Sequence, residues 1–396
     1  MHKYFSRIFA AVSLLTMLPA LAFASSTRVA AMNVPGDYIK DYTNIYTYLS
    51  GVGSVGNLVF AEPAGSGNSA MGAVLGNLFE GRLGTWGVVL RRQAPSLGQP
   101  MFGDPVTTSL QGFNDPNFAG EAFDVMWGHK LGSGSLGLRV NRSFISNATA
   151  GGTTEGDGNN TRNVWGIGAG FGFNMNPNTD VELSALFQNR SFKGTNAATP
   201  DAAKDDGGST YQVAGRAMMK AGGNLVVIPV AKVYSFDLSA VDNGSPAVKT
   251  DQKLTGWQFG VSGDWSIGSD DLFILGAQIV GNHSEKTIGA GVKTDIKETY
   301  YPNVFMGLET HVNSWLTLRF GAQNAVMYSL KNEPVTQTQK MHSFSYNMGA
   351  GVKLGSLAFD ATLNQAFWNN PVSATFNNGL GAGNVPFPRV SATYSF

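Results

Sequence analysis

Polarity in this chain alternates with every second residue, and it does so in about sixteen separate runs. Successive side chains of a β-strand point to opposite faces, so each run codes a strand with one apolar and one polar wall. In 254–267, Trp257, Phe259, Val261, Trp265 and Ile267 alternate with Gln258, Ser262, Asp264 and Ser266. In 179–192, Val181, Leu183, Ala185 and Phe187 alternate with Glu182, Ser184, Gln188 and Arg190. The remaining runs are 56–61, 69–79, 83–92, 120–130, 135–145, 163–174, 209–220, 224–238, 272–284, 295–312, 315–330, 340–354, 356–368 and 388–396. Most approach the ~9–11 residues that a tilted strand needs to cross a bilayer.

The connections alternate too. Short ones (80–82, 131–134, 174–178, 221–223, 268–271, 313–314 and 355) separate long polar ones (93–119, 146–162, 193–208, 239–253, 285–294, 331–339 and 369–387). Short periplasmic turns alternating with long outer loops are the plan of a transmembrane β-barrel. The expected fold is therefore all-β: a closed antiparallel barrel of about sixteen strands, or fourteen if the weak first run is not a strand. In 163–173 glycine fills Gly166, Gly168, Gly170 and Gly172 on one face. Such a face packs poorly in a soluble sheet and suits a wall against a crowded lumen or a plug.

Composition narrows the class. Charged residues make up 14%, against roughly 25% in soluble domains. Beyond the N-terminus no apolar run reaches the ~18 residues of a membrane helix. The formal net charge of zero offers no basic surface for nucleic acid. Cysteine is absent, which excludes disulfides and thiolate chemistry.

The first 24 residues read as a signal peptide: His2, Lys3 and Arg7, a mostly apolar stretch over 8–21, then Ala22-Phe23-Ala24, making Ser25 the expected mature start. Residues 25–55 mix Tyr38, Ile39, Tyr42, Ile45, Tyr46, Tyr48 and Leu49 with Asp41 and Asn44, without a clean period. They are expected to form a periplasmic cap or a lumen plug, with a leading strand hairpin as the alternative. Residues 56–396 form the barrel.

At the other end, Val390, Ala392, Tyr394 and Phe396 share a face and the last residue is aromatic. These nine residues resemble the C-terminal strand of bacterial outer-membrane proteins. The resemblance implies recognition of Tyr394 and Phe396 by the barrel assembly machinery and a place in the outer membrane, in contact with its lipid. The whole is similar to the general porin group. Arg28, Ala30, Met32, Gly36 and Asp41 ahead of the barrel also resemble the hatch of the FadL-like fatty-acid transporters, although Pro63-Ala64-Gly65 falls later than that family's Asn-Pro-Ala-Gly element.

Parity places Arg91, Asp124, Arg139, Glu182, Arg190, Arg216, Asp264, Arg319, Lys353, Asp360 and Arg389 on the lumen. Charged rings in a pore set solute preference; the alternative is that these charges pair across strands and fill the barrel. The longest loop, 93–119, is the candidate constriction. Trp86, Trp127, Trp165, Trp257, Trp265, Trp315 and Trp368 fit interfacial girdles. His129, His283, His311 and His342 fall in four different runs, with no base and orienting partner marked, so no enzyme activity is expected. Asp205-Asp206, Asp270-Asp271 and the stretch 151–160 lack the spacing of a cation site, and no metal or cofactor is expected. The favoured function is passive passage of small solutes through a porin-like channel. The alternatives are a FadL-like transporter of hydrophobic compounds and a structural or adhesive barrel. A homo-oligomer is compatible with all three.

Overall fold

The computed structural model describes residues 25–63, 70–76, 78, 82–93, 119–148, 159–194, 205–242, 248–268, 270–288, 292–333, 337–363 and 386–396. Sixteen strands run in chain order: β1 (Leu58–Glu62), β2 (Ala70–Leu75), β3 (Thr85–Gln93), β4 (Ala119–Leu131), β5 (Gly134–Ala148), β6 (Asn159–Asn176), β7 (Thr179–Gly194), β8 (Asp205–Lys220), β9 (Leu225–Asp242), β10 (Val248–Ile267), β11 (Asp271–Ile288), β12 (Val292–His311), β13 (Leu316–Glu333), β14 (Gln337–Leu354), β15 (Leu357–Thr362) and β16 (Arg389–Ser395). Each pairs antiparallel with its neighbours, and β1 pairs with β16 to close the barrel. Closure removes the unpaired strand edges that an open sheet of this size would expose.

The alternation sorts side chains as the sequence implies. On the outer wall, Leu90, Val140, Ile167, Leu183, Val213, Phe259 and Phe320 are all exposed. Their inward neighbours, among them Gln188, Gln212, Gln258 and Gln278, are buried. An apolar surface of this extent is untenable in water and is what a hydrocarbon layer requires. Trp265 and Trp257 face outward on β10, eight positions apart. Eight positions at about 3.3 Å each span roughly 26 Å of strand, or about 20 Å of height at a barrel tilt near 40°. That is close to the ~25 Å apolar band of such barrels. No helix among the described residues is long and apolar enough to cross a membrane.

The short connections lie at one end. Gly132 and Gly355 take positive φ (60° and 64°) in turns between β4 and β5 and between β14 and β15, a conformation that costs glycine nothing. At the opposite end β6 to β14 run past the apolar band, with β10 and β12 reaching 20 residues. Their outward positions there are polar, including Lys253, Glu285, Asp295 and Lys297. On β13 the register shifts between Ala325 and Tyr328, and this bulge exposes Val326 and Met327 together.

Residues 25–56 do not join the sheet. They form a seven-residue helix, α1 (Ser26–Met32), then three 3-10 turns at Gly36–Tyr38, Tyr42–Tyr46 and Leu49–Ser54. Much of the polarity of this segment is satisfied internally. The Ser25 hydroxyl accepts from the Arg28 amide, and Asp41 and Asn44 form a reciprocal capping box. Almost every residue of the segment is buried, because it lies inside the barrel.

Candidate functional site

The plug fills the lumen toward the short-turn end, touching the wall all the way round. α1 packs on β12 to β16, the first 3-10 turn on β9, and the last on β3 to β7. Three groups of charged residues hold it.

The first surrounds α1. Arg28 grips Glu309 of β12 through two donors, Nε at 2.6 Å and Nη2 at 2.7 Å. Arg319 of β13 donates to the same carboxylate at 2.6 Å and, through Nη1, to Asp360 of β15 at 2.7 Å. The other Asp360 oxygen accepts from the Ser25 hydroxyl at 2.7 Å. Plug and wall therefore share one alternating chain of opposite charges, and bidentate guanidinium–carboxylate pairs are among the stronger polar contacts.

The second lies at the first 3-10 turn. Lys232 of β9 meets Asp37 at 2.5 Å. Arg216 of β8 pairs with Glu182 of β7 at 2.6 Å, stacks over the Tyr48 ring at 4.1 Å, and donates to the Asp37 and Ile39 carbonyls. The third joins Arg139 of β5 to Asp124 of β4 at 2.7 Å and to the Tyr46 carbonyl at 3.2 Å. Burial pushes the Asp41 carboxyl of the plug up to about 6, with Arg28 opposing the shift.

Glycine makes the remaining fit. A Cβ added at Gly170 would lie 2.8 Å from the Ser50 amide nitrogen, and one at Gly168 2.8 Å from the Leu49 side chain. At Gly137 and Gly321 it would overlap the Leu49 and Met32 carbonyls outright. The glycine stripe of β6 is thus the bed of the last 3-10 turn.

The lumen candidates fall into three groups. Asp124, Arg139, Glu182, Arg216, Arg319 and Asp360 are buried and belong to the anchors just described. Asp264 is buried and accepts from the Ser262 hydroxyl, while Arg389 is half-buried near Glu62. Lys353 faces inward but is exposed at the short-turn rim. The side chains of Arg91 and Arg190 lie outside the described residues, as do the loop 94–118 and Trp368. Parity alone could have flagged Lys232 and Glu309, both in alternating runs. Arg28, Asp37 and Asp41 carry no periodic signal.

Toward the long-loop end the inner wall turns apolar. Tyr234, Phe236, Leu254, Val280, Ile296 and Tyr300 form one cluster with Leu49 of the plug. Below it, Gln212, Gln258, Gln278 and Asn282 form a band of buried amides, each with a polar atom that lacks a hydrogen-bond partner. Outside the wall, His283 Nε2 lies 3.0 Å from Asp295 and 3.9 Å from Glu285, near Lys293 and Lys297. Among the described residues this is the one trio with a metal ligand's spacing, but the two lysines already compensate its carboxylates.

No family model matches the sequence, and no curated protein is significantly similar to it. Among solved structures, the siderophore receptor PiuA of Acinetobacter baumannii aligns over 78% of this chain and 56% of its own, with 8% identity and a TM-score of 0.45. This chain spans about half the length of that receptor and of the ferric yersiniabactin receptor FyuA of Yersinia pestis (53% of that chain, 8% identity, TM-score 0.43). The toluene transporter TodX of Pseudomonas putida aligns over 94% of this chain and 98% of its own, with 9% identity and a TM-score of 0.39. Similarities at this level carry no argument beyond the barrel itself.

Proposed function

We propose that this chain is an outer-membrane transport protein whose N-terminal segment gates the lumen, and that its cargo is small and weakly polar. The observation that carries the reading is the plug. It meets the wall on every side, so a solute crosses only when residues 25–56 shift. A barrel of sixteen strands has room for an aqueous channel unless something occupies it, and here a folded segment does. The apolar cluster around Tyr234, Phe236 and Leu254 on the loop side favours a cargo that gains from leaving water. The short-turn end then faces the periplasm. Tyr394 and Phe396 are exposed on the outer wall of the terminal strand, 5.9 Å apart, where the assembly machinery and lipid would meet them.

Planar-bilayer conductance and uptake in the same vesicles test this. The intact chain should conduct little and admit a small aromatic such as toluene in preference to a sugar of similar size. Removing residues 25–56 should raise conductance by at least tenfold. A large, steady conductance from the intact chain would instead establish a passive porin. Silence in both assays, with and without the plug, would leave a structural barrel.

A further inference from the structure

The anchor around α1 is one positive charge short. Its carboxylates are Glu309, Asp360, Asp41 and Glu62; its guanidiniums are Arg28, Arg319 and Arg389. The innermost members show the same deficit, with Arg28 and Arg319 facing Glu309, Asp360 and Asp41. An uncompensated buried charge is costly. Asp41 shows the strain: its Oδ2 has no hydrogen-bond donor, and Arg28 Nη1 stands 3.7 Å away.

Ser25 enters this cluster. It is 0% exposed, and its hydroxyl donates to Asp360. The next amide, that of Ser26, donates to Glu62 Oε1 at 3.1 Å. Covalent geometry holds the Ser25 nitrogen within about 3 Å of its own Oγ, and so within ion-pair reach of the Asp360 carboxylate. Ser25 is also where the small-residue motif Ala22-Phe23-Ala24 ends.

We propose that cleavage before Ser25 supplies the missing cation: the new α-ammonium is buried beside Asp360 and Glu62, and the plug docks fully only in the processed chain. Hydrolysis of the Ala24–Ser25 peptide bond by one water leaves a carboxylate on Ala24 and a protonated amine on Ser25. An uncharged amide nitrogen thereby becomes a positive charge at the point where the cluster lacks one. Removing the leader and closing the lumen are then the same event.

The test compares the natural outer-membrane form with a chain carrying Gly-Ser inserted between Ala24 and Ser25, which moves the ammonium two residues away. The mature N-terminus is sequenced, its acetylation rate is followed by mass spectrometry, and proteolysis within 25–56 is timed. The natural chain should begin at Ser25, acetylate at least tenfold more slowly than the extended chain, and resist proteolysis. The extended chain should lose that protection, and Asp41→Asn in the extended background should restore it by removing one negative charge. A different mature start, equal acetylation rates, an extended chain that stays protected, or failure of Asp41→Asn to rescue it would each overturn the proposal. Heat-modifiable gel migration confirms in every case that the barrel has folded.

Discussion

Glu309→Ala should open the lumen more than any other single substitution in the plug anchors. Glu309 is the hub of the first anchor, accepting at 2.6 and 2.7 Å from Arg28 and at 2.6 Å from Arg319. Without it, two buried guanidiniums face each other with Asp360 as their remaining close carboxylate on the wall. Breaking a buried ion pair from one side costs about 3–5 kcal/mol. At 1.4 kcal/mol per factor of ten, about 4 kcal/mol raises the undocked fraction of the plug several hundredfold. Arg28→Ala should do less, because Glu309 keeps Arg319 as a partner and no charge is left alone. The assay is single-channel recording of open probability, paired with proteolysis of residues 25–56 and heat-modifiable migration to confirm an intact barrel. An open probability that rises equally in the two variants would refute the hub. A closed channel in Glu309→Ala with a folded barrel would refute the anchor altogether.

Three further outcomes follow from the same geometry. Gly321→Ala places a Cβ on the Met32 carbonyl and should expel the plug, at an overpacking cost of about 1–3 kcal/mol; Gly215→Ala, which meets only the far end of the Leu183 side chain, should not, and proteolytic protection of 25–56 separates the two. With all other tryptophans replaced by phenylalanine, Trp257 and Trp265 should each be quenched by brominated lipid at different chain positions; absence of quenching would place the outer wall in water. Removing Phe396 should lower the yield of heat-modifiable barrel in the membrane by severalfold without changing plug protection in the molecules that do fold, as measured in membrane fractions.

The strands were legible because a two-residue period is the geometry of a strand itself, and one hydrocarbon-facing wall keeps the register strict. The strand ends were not. Above the apolar band, β10 to β12 continue with Lys253, Glu285, Asp295 and Lys297 on the outer side, and residues that face water on an exposed wall read like a loop. The plug left only an indirect trace. Its 3-10 turns have no repeat that a sequence shows, and its polar groups largely bond one another or the wall. The glycines at 166, 168, 170 and 172 implied that something leans on β6, but not what. Parity put Arg139, Arg216 and Arg319 inside without revealing that their partners include carbonyls and carboxylates of the N-terminal segment.

The junction of β1 with β16 joins Leu58 to Ser395 and holds four residue pairs, where β9 and β10 share eighteen. Its two halves come from opposite ends of the polypeptide, so it forms only when synthesis is complete and must await the slowest search in the chain. The helix at Ser26–Met32 lies across this junction from within, touching β15 and β16, with Ser26 bonded to Glu62 of β1. The segment that shuts the mature protein is thus also a template for its last folding step, drawing the two terminal strands together before they zip.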